Sequence, residues 1–434
     1  MSAISVAEQI AALRRGFLPH AIKIGMIGDL SGIIGLKKLV QESKVPVICD
    51  PILTSTSGTA LMGIEVMKAM QNHLYPDVTV LTPNLFEAER LAGFKIDSPD
   101  LMEKAARKIL NFGVKSVVIK GGHAGGTYSQ DYWTNGHTAG WLTSARKLGQ
   151  NSRGTGCTFA SALAVAHAFG FEGLDAVVIA KTYINQCLRL SFGITSNSDL
   201  LQYGSWPGSS VDLPWLTQRS EDGLNRAQFP GCRRESIGFY PIVDRAHWFR
   251  RILPLGVKTV QIRIKDLRGE ELENEIRQAI LLSRDFQCKI FINDYWELAL
   301  KHGAFGTHLG QEDTSAADVK RLSKTGIHLG LSTHCFSEVA RAHSICPSYV
   351  AIGPIFPTTI KAMKFAPQGV RQFQMWRRLL DYPLVAIGGI TLENANLLLE
   401  SGADGVSVVS DITRNQDPES RAVAWLRKFK DKLD

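Results

Sequence analysis

From about residue 237 to the end, short apolar strands alternate with amphipathic helical stretches at a near-constant spacing, which constrains the fold more than any other feature. The strands are read at "GFYPIVD", "TVQIRIK", "KIFIND", "GTHLG", "HLGLST", "YVAIGPI", "LVAIGGI" and "GVSVVSD". Between them lie helical stretches such as "GEELENEIRQAILLSRDF", "TSAADVKRLSKTG" and "TLENANLLLESG", several of which start at a Thr, Ser or Gly cap and finish at Gly. Eight such units in roughly 200 residues imply a closed (β/α)8 barrel of parallel strands. An open doubly wound sheet is the competing arrangement, and near-equal units favour closure.

The first half also alternates, through "AIKIGMI", "VPVICDPI", "VTVLTPN" and "SVVIKGG", and reads as a second α/β domain. From 194 to 236 periodicity gives way to Gly, Ser, Pro, Asn and charge, as in a linker or an extended surface crossing. The expected organisation is therefore an α/β domain over 1–193, a linker over 194–236 and the barrel over 237–434. At 434 residues, more than one domain is required in any case.

Composition bounds the function. The net charge of +8 is scattered among acids, so no nucleic-acid stripe is expected, while phosphorylated small molecules suit a mild positive excess. Seven cysteines lie far apart with no CxxC pair, which argues against a disulfide framework or zinc site and for a reducing cytoplasm. No apolar run approaches the ~18 residues of a membrane span, and "MSAISVAEQIAALRRGFLPH" lacks a signal pattern.

In a (β/α)8 barrel the C-terminal strand ends share one face, where chemistry is built. Polar residues gather at those ends: Arg263 and Lys265, Asn293 and Asp294, Asp313, Ser332 and Thr333, Thr358, Thr359 and Lys361, Gly388 and Gly389, and Ser410. Singly, each has a plain reading as a helix cap, a solvated lysine or a turn. Together they describe two anion sites. Two carboxylates on adjacent strands favour a hard cation such as Mg²⁺ that bridges to phosphate oxygens, and the Arg and Lys residues suit a diphosphate. The glycine pair and the turn at Ser410 form a backbone cradle for a second phosphate.

The motifs "QIRIKD", "FINDYW", "HLGQED", "LGLSTH", "GPIFPTTIK", "APQG", "AIGGI" and "VSVVSDI" closely resemble those of thiamine-phosphate synthases, in order and spacing, over 239–425. The resemblance implies a transferase of thiamine biosynthesis that joins hydroxymethylpyrimidine diphosphate to a thiazole phosphate and releases diphosphate. It implies that Gln261, Arg263, Lys265, Asn293, Ser332 and Lys361 hold the pyrimidine diphosphate. Asp294 and Asp313 would hold Mg²⁺, and Thr358, Thr359, Gly389, Val409 and Ser410 would frame the thiazole phosphate. Ile360 stands in that frame where the family usually has a third hydroxyl residue, so a weaker thiazole site is expected.

In the first half, "RGTGCTFASALA" is a glycine turn opening a helix, which presents backbone N–H groups to an anion and places Cys157 in the helix dipole. Packing of small residues at a helix start is the plain alternative. "PNLFEAE" puts Asn84 and Glu87 at a strand end, as indirect metal ligands or as a helix cap. With "KIGMIG", "CDPIL", "TPNLFEAERL" and "VIKGGH", these stretches look like hydroxymethylpyrimidine phosphate kinases of the ribokinase-like fold, which implies a partial ribokinase-like doubly wound domain. The resemblance implies Cys157 as base, Gly154, Thr155 and Gly156 as phosphate loop, and ATP-phosphate or metal roles for Asp50, Glu87 and Lys120. Such kinases begin with a further Gly- and Ser-rich segment that nothing here matches, and Arg153 replaces a frequent His. A degenerate kinase acting as a structural or partner-binding module is therefore expected. The alternatives are a bifunctional kinase and synthase, with its sheet completed in a homo-oligomer or by a kinase partner chain, or an upstream start.

Overall fold

The computed structural model describes residues 3–53, 61–122, 125–146, 154–195, 198–234, 237–358 and 365–430. The chain divides into two compact units, Met1–Pro207 with Val211–Asn225 and Gly208–Ser210 with Arg226–Asp434.

The first unit is built on one seven-stranded sheet. Its strands are β1 (Ile22–Ile24), β2 (Val47–Cys49), β3 (Val80–Leu81), β4 (Val117–Ile119), β5 (Tyr128–Thr134) and β6 (Ala139–Ala145). A separate hairpin, β7 (Phe192–Thr195) with β8 (Ser198–Leu200), precedes the last sheet strand, β9 (Trp215–Thr217). The order is β1-β2-β3-β4-β5-β6-β9, parallel through β4 and antiparallel beyond it. The parallel strands are the four apolar runs read from the sequence; β2, β3 and β4 are buried throughout, as a sheet covered on both faces requires, while the edge strand β1 is fully buried only at Ile24. The β5–β6 hairpin turns at Asn135–Gly136, where Gly136 has φ 88° and the Asn135 side chain accepts from the backbone of His137 and Thr138.

Much of the segment 194–236 is built into the two units. Leu213 and Leu216 are buried, and β9 pairs with β6 in the register Leu142↔Leu216. Asp212, fully buried, holds Arg189 through two contacts of 2.7 and 2.8 Å. Further on, Phe229 and Cys232 donate backbone N–H groups to Cys346 O (3.1 Å) and Ser348 O (3.3 Å). These residues lie at the N-terminal side of a barrel strand. Cys232 packs on the interior cluster of Tyr240, Phe291 and Tyr349. By its contacts the unit that holds the barrel takes in Gly208–Ser210 and the chain from Arg226 onward, and the apolar residues that pack on its floor are scattered among polar ones.

The second unit is a closed barrel of eight parallel strands. They are β10 (Gly238–Val243), β11 (Thr259–Ile262), β12 (Lys289–Asn293), β13 (Gly306–Leu309), β14 (His328–Thr333), β15 (Tyr349–Ile352), β16 (Leu384–Ile387) and β17 (Gly405–Val408). These are the eight strands expected from the alternation, and closure is completed by β17 on β10 with Phe239 opposite Val406. Helices such as Gly269–Asp285, Phe336–Ile345 and Gly369–Leu379 follow the strands and bury one face each. Among the described residues no helix is long and apolar enough to cross a membrane.

Candidate active site at the barrel rim

At the C-terminal ends of β11 to β13 the polar residues interlock. Gln261, inside β11, donates from Nε2 to Asn293 Oδ1 at 2.8 Å, and both are buried. Asn293 ends β12, and the chain then turns through Asp294 in the left-handed region (φ 66°), its N–H held by His308 O. A non-glycine residue there is uncommon, and such strain gathers at functional sites. Lys265 Nζ lies 2.5 Å from Asp294 Oδ2. Asp313 sits in the first turn of the helix Gln311–Ala316, close enough to the Asp294 carboxylate for the two to interact directly.

That pairing has an electrostatic signature. Burial, followed by the negative charge of Asp294, raises the Asp313 carboxyl above its ordinary value. Two oxygen donors held together against their repulsion, with an ammonium already drawn to one of them, fit a hard divalent cation. Among the described residues no group of three or more His, Cys, Asp or Glu converges. Protein donors would then be few, and substrate and water oxygens would complete the shell, as Mg²⁺ commonly accepts.

Across the rim, β14 carries Ser332, whose hydroxyl meets His308 Nε2 at 2.8 Å. Gly388 and Gly389 have φ values of 97° and 65°, and a Cβ on Gly389 would lie 2.4 Å from Pro357 O. Only glycine allows the β16 turn to run this close to the loop after β15. Val409 and Ser410 form the entry to the short helix Ser410–Thr413. Thr358 is described, whereas Thr359, Ile360 and Lys361 lie outside the described residues. A cavity of about 440 Å³ opens between the ends of β10, β11 and β17, lined among others by Asp244, His247, Trp248, Arg263, Val409 and Thr413. Arg263 and Val409, expected to serve different substrates, thus face one space.

Sequence reasoning passed over His308 and the cavity residues Asp244, His247 and Trp248. His308 had a signal, since it is an imidazole inside a strand that is buried throughout. The cavity residues have none, because they follow the first strand without a motif.

In the first unit the expected kinase residues also meet. Lys120 Nζ lies 2.8 Å from Asp50 Oδ1, and Thr82 Oγ1 donates to the same carboxylate. Gly154 (φ 85°) opens the helix Thr155–Ala168, and a Cβ on Gly156 would lie 3.1 Å from Lys120 Nζ. Cys157, in that first turn, is exposed. Asn84 and Glu87 form a reciprocal capping box on the helix Leu85–Ala92, with bonds of 2.9 and 2.8 Å, so the helix-cap reading holds for both.

Glu87 has a further property. Burial drives its carboxyl up to about 7, against the opposing charge of Lys120. The folded unit therefore binds this proton more tightly than the unfolded chain does. Its stabilising effect is complete below about pH 4.5 and is lost as pH rises through about 7, up to about 3 kcal/mol in all. Glu87→Gln keeps the capping box and should flatten the pH dependence of the first unit's denaturation midpoint across this window. Superimposable pH profiles for the two proteins would contradict the assignment.

Comparison with known proteins follows the same division. A family model described as phosphomethylpyrimidine kinase matches residues 1–201, and one described as thiamine monophosphate synthase matches 239–412. The thiamine-phosphate synthase of Rhizobium etli is 53% identical over 189 residues, which are 43% of this chain and 93% of that protein. That of Photorhabdus laumondii is 51% identical over 182 residues, 42% of this chain and 84% of the relative. Among solved structures, a Staphylococcus aureus pyridoxal kinase with AMP-PCP and pyridoxal aligns at TM-score 0.43 and 29% identity, covering 48% of this chain and 76% of that one. A Pyrococcus furiosus thiamine phosphate pyrophosphorylase aligns at TM-score 0.42 and 25% identity, covering 46% and 99%. A kinase-type domain thus precedes the barrel, and through that barrel the chain belongs to the thiamine-phosphate synthase family.

Proposed function

We propose that the barrel joins hydroxymethylpyrimidine diphosphate to a thiazole phosphate, forming thiamine phosphate and diphosphate. The observation that carries this reading is the contact of Asp294 with both Asp313 and Lys265 on a rim that also bears Arg263 and the Gly388–Gly389 turn. Gln261, Arg263, Lys265, Asn293, Ser332 and Lys361 are assigned to the pyrimidine diphosphate. Thr358, Thr359, Gly389, Val409 and Ser410 are assigned to the thiazole phosphate, with Ile360 weakening that end.

Chemically, the bond between the pyrimidine methylene and the diphosphate oxygen breaks, and the thiazole nitrogen attacks the methylene carbon. The aminopyrimidine ring spreads the positive charge on that carbon, so no general base is needed. Arg263 and Lys265 meet negative charge that grows on the departing diphosphate, and they bind it more strongly as the bond lengthens. Mg²⁺, held by Asp294 and Asp313, would supply further charge neutralisation at the diphosphate.

The two anion sites can be separated kinetically. Lys265→Ala should raise KM for the pyrimidine diphosphate by at least tenfold and change the thiazole KM little, since a charged hydrogen bond is worth about 1.5–3 kcal/mol. Ser410→Ala should do the reverse, with a smaller effect because backbone N–H groups remain. An exchange of these effects in steady-state titrations would invert the assignment.

For the first unit, we propose a phosphate-binding corner with little kinase turnover of its own. Lys120, Asp50 and the Gly154 turn are assembled, which suits ATP phosphates. Cys157 is exposed, as are Met26, Leu30 and Ile34 beside the edge strand β1, which suits an incompletely walled pyrimidine site.

A further inference from the structure

A line of polar side chains runs through the barrel from its floor to its rim. Tyr240 Oη lies 2.9 Å from Tyr349 Oη, Tyr349 Oη lies 2.8 Å from His308 Nδ1, and His308 Nε2 lies 2.8 Å from Ser332 Oγ. Tyr240, Tyr349 and His308 are at most 5% exposed, and only Ser332 reaches partly open space. The line is built in. A Cβ on Gly330 would lie 2.2 Å from the Tyr349 ring, so Tyr349 occupies the room that a side chain at 330 would need.

Hydrogen-bond accounting gives the line a direction. Among the described residues, Tyr240 Oη bonds only Tyr349 Oη, and the cluster around it holds Phe291, Ile237, Val385 and the Cys232 side chain, none of which is hydrogen-bonded to it. Suppose Tyr240 donates to Tyr349. Tyr349 then donates to His308 Nδ1, the imidazole is neutral with its proton on Nε2, and Nε2–H donates to Ser332 Oγ. Every buried donor is satisfied. In the reverse direction Tyr349 donates to Tyr240, and the Tyr240 hydroxyl proton is left without an acceptor in reach, which native interiors avoid. A doubly protonated imidazole forces the same orphan, because both of its nitrogens must then donate.

We propose that this relay fixes the Ser332 hydroxyl as a donor toward the rim, making His308, with Tyr349 behind it, a positioning residue for the anionic diphosphate. With its oxygen already accepting from His308, Ser332 keeps its proton for a phosphate oxygen. A serine free to rotate would lose part of that bond to alternative orientations. The inference rests on the reading that Ser332 contacts the diphosphate.

Two measurements on the full chain test it. Long-range proton–nitrogen correlation spectra of the ¹⁵N-labelled protein, assigned by difference from His308→Asn, should show His308 as the neutral Nε2–H tautomer. An Nδ1–H tautomer overturns the relay, and this readout needs no variant to be active. Kinetically, Ser332→Ala should raise the pyrimidine-diphosphate KM about tenfold, as loss of one charged hydrogen bond does. His308→Leu should raise it by a similar factor, and the double variant should be no worse than either single one. His308→Gln, which can accept from Tyr349 and donate to Ser332, should recover part of the loss, and the thiazole KM should move less than about twofold throughout. If Ser332→Ala has no effect, the Ser332 assignment fails and the relay with it. If Ser332→Ala acts but the His308→Leu effect multiplies with it, the assignment stands and the relay alone is overturned.

Discussion

Asp313→Ala is expected to cut thiamine phosphate formation by on the order of 10²–10³ at a fixed low Mg²⁺ concentration, and Asp294→Ala by as much or more. The leaving group is a diphosphate, so the barrier is dominated by charge that must be neutralised as the bond to carbon stretches. Asp313 lies beside Asp294, and burial together with their mutual repulsion already raises the Asp313 carboxyl. Removing either leaves a single carboxylate, too few donors to hold a cation firmly beside Lys265. Part of the loss should return at high Mg²⁺. A carboxylate that merely caps the helix Gln311–Ala316 would behave otherwise, costing about 1 kcal/mol of stability and leaving turnover intact. Near-full activity of a folded Asp313→Ala protein across a Mg²⁺ titration would exclude the metal role.

The second large effect concerns the first unit. Incubation of the full chain with ATP, Mg²⁺ and hydroxymethylpyrimidine phosphate is expected to yield diphosphate product at less than about 0.01 s⁻¹, against the 1–100 s⁻¹ usual for kinases. Phosphoryl transfer depends on positioning and on exclusion of water. The phosphate corner formed by Lys120, Asp50 and Gly154 is in place, yet Cys157 faces solvent. Cys157→Ala should leave synthase turnover unchanged. Kinase turnover at a normal rate, abolished by Cys157→Ala, would show a working kinase and a bifunctional chain.

The fold was legible wherever one face or both faces of an element were apolar without interruption. The eight barrel strands and the four parallel strands of the first sheet have that property, so local pattern was enough. The β5–β6 hairpin was not singled out, although Asn135–Gly136 between two alternating runs is a strong local turn signal. The segment 194–236 carries no periodic signal because Leu213, Leu216, Phe229 and Cys232 are isolated apolar residues. Their burial is set by distant strands, not by neighbours in sequence.

The same distinction governs the site. Asp294 and the glycine pair stand directly after strands, Ser332 stands at the end of one and Asp313 in the first turn of the helix that follows another, so chain order alone brings them to one rim. The His308–Tyr349–Tyr240 line crosses the barrel between strands 13, 15 and 10 in chain order, and no local motif encodes which inward side chains will touch. Glu87 is an intermediate case. Its capping box with Asn84 was readable from spacing, whereas its elevated pKa depends on burial that spacing does not report.

The central claim, that the barrel makes thiamine phosphate, is tested most directly by supplying the purified chain with hydroxymethylpyrimidine diphosphate, thiazole phosphate and Mg²⁺. Thiamine phosphate and diphosphate would be followed together. The account predicts that the two products appear in equal amounts, that both stop when the cation is chelated, and that both resume when Mg²⁺ is restored. Folded protein that forms no thiamine phosphate at saturating concentrations of both substrates and Mg²⁺ would contradict it.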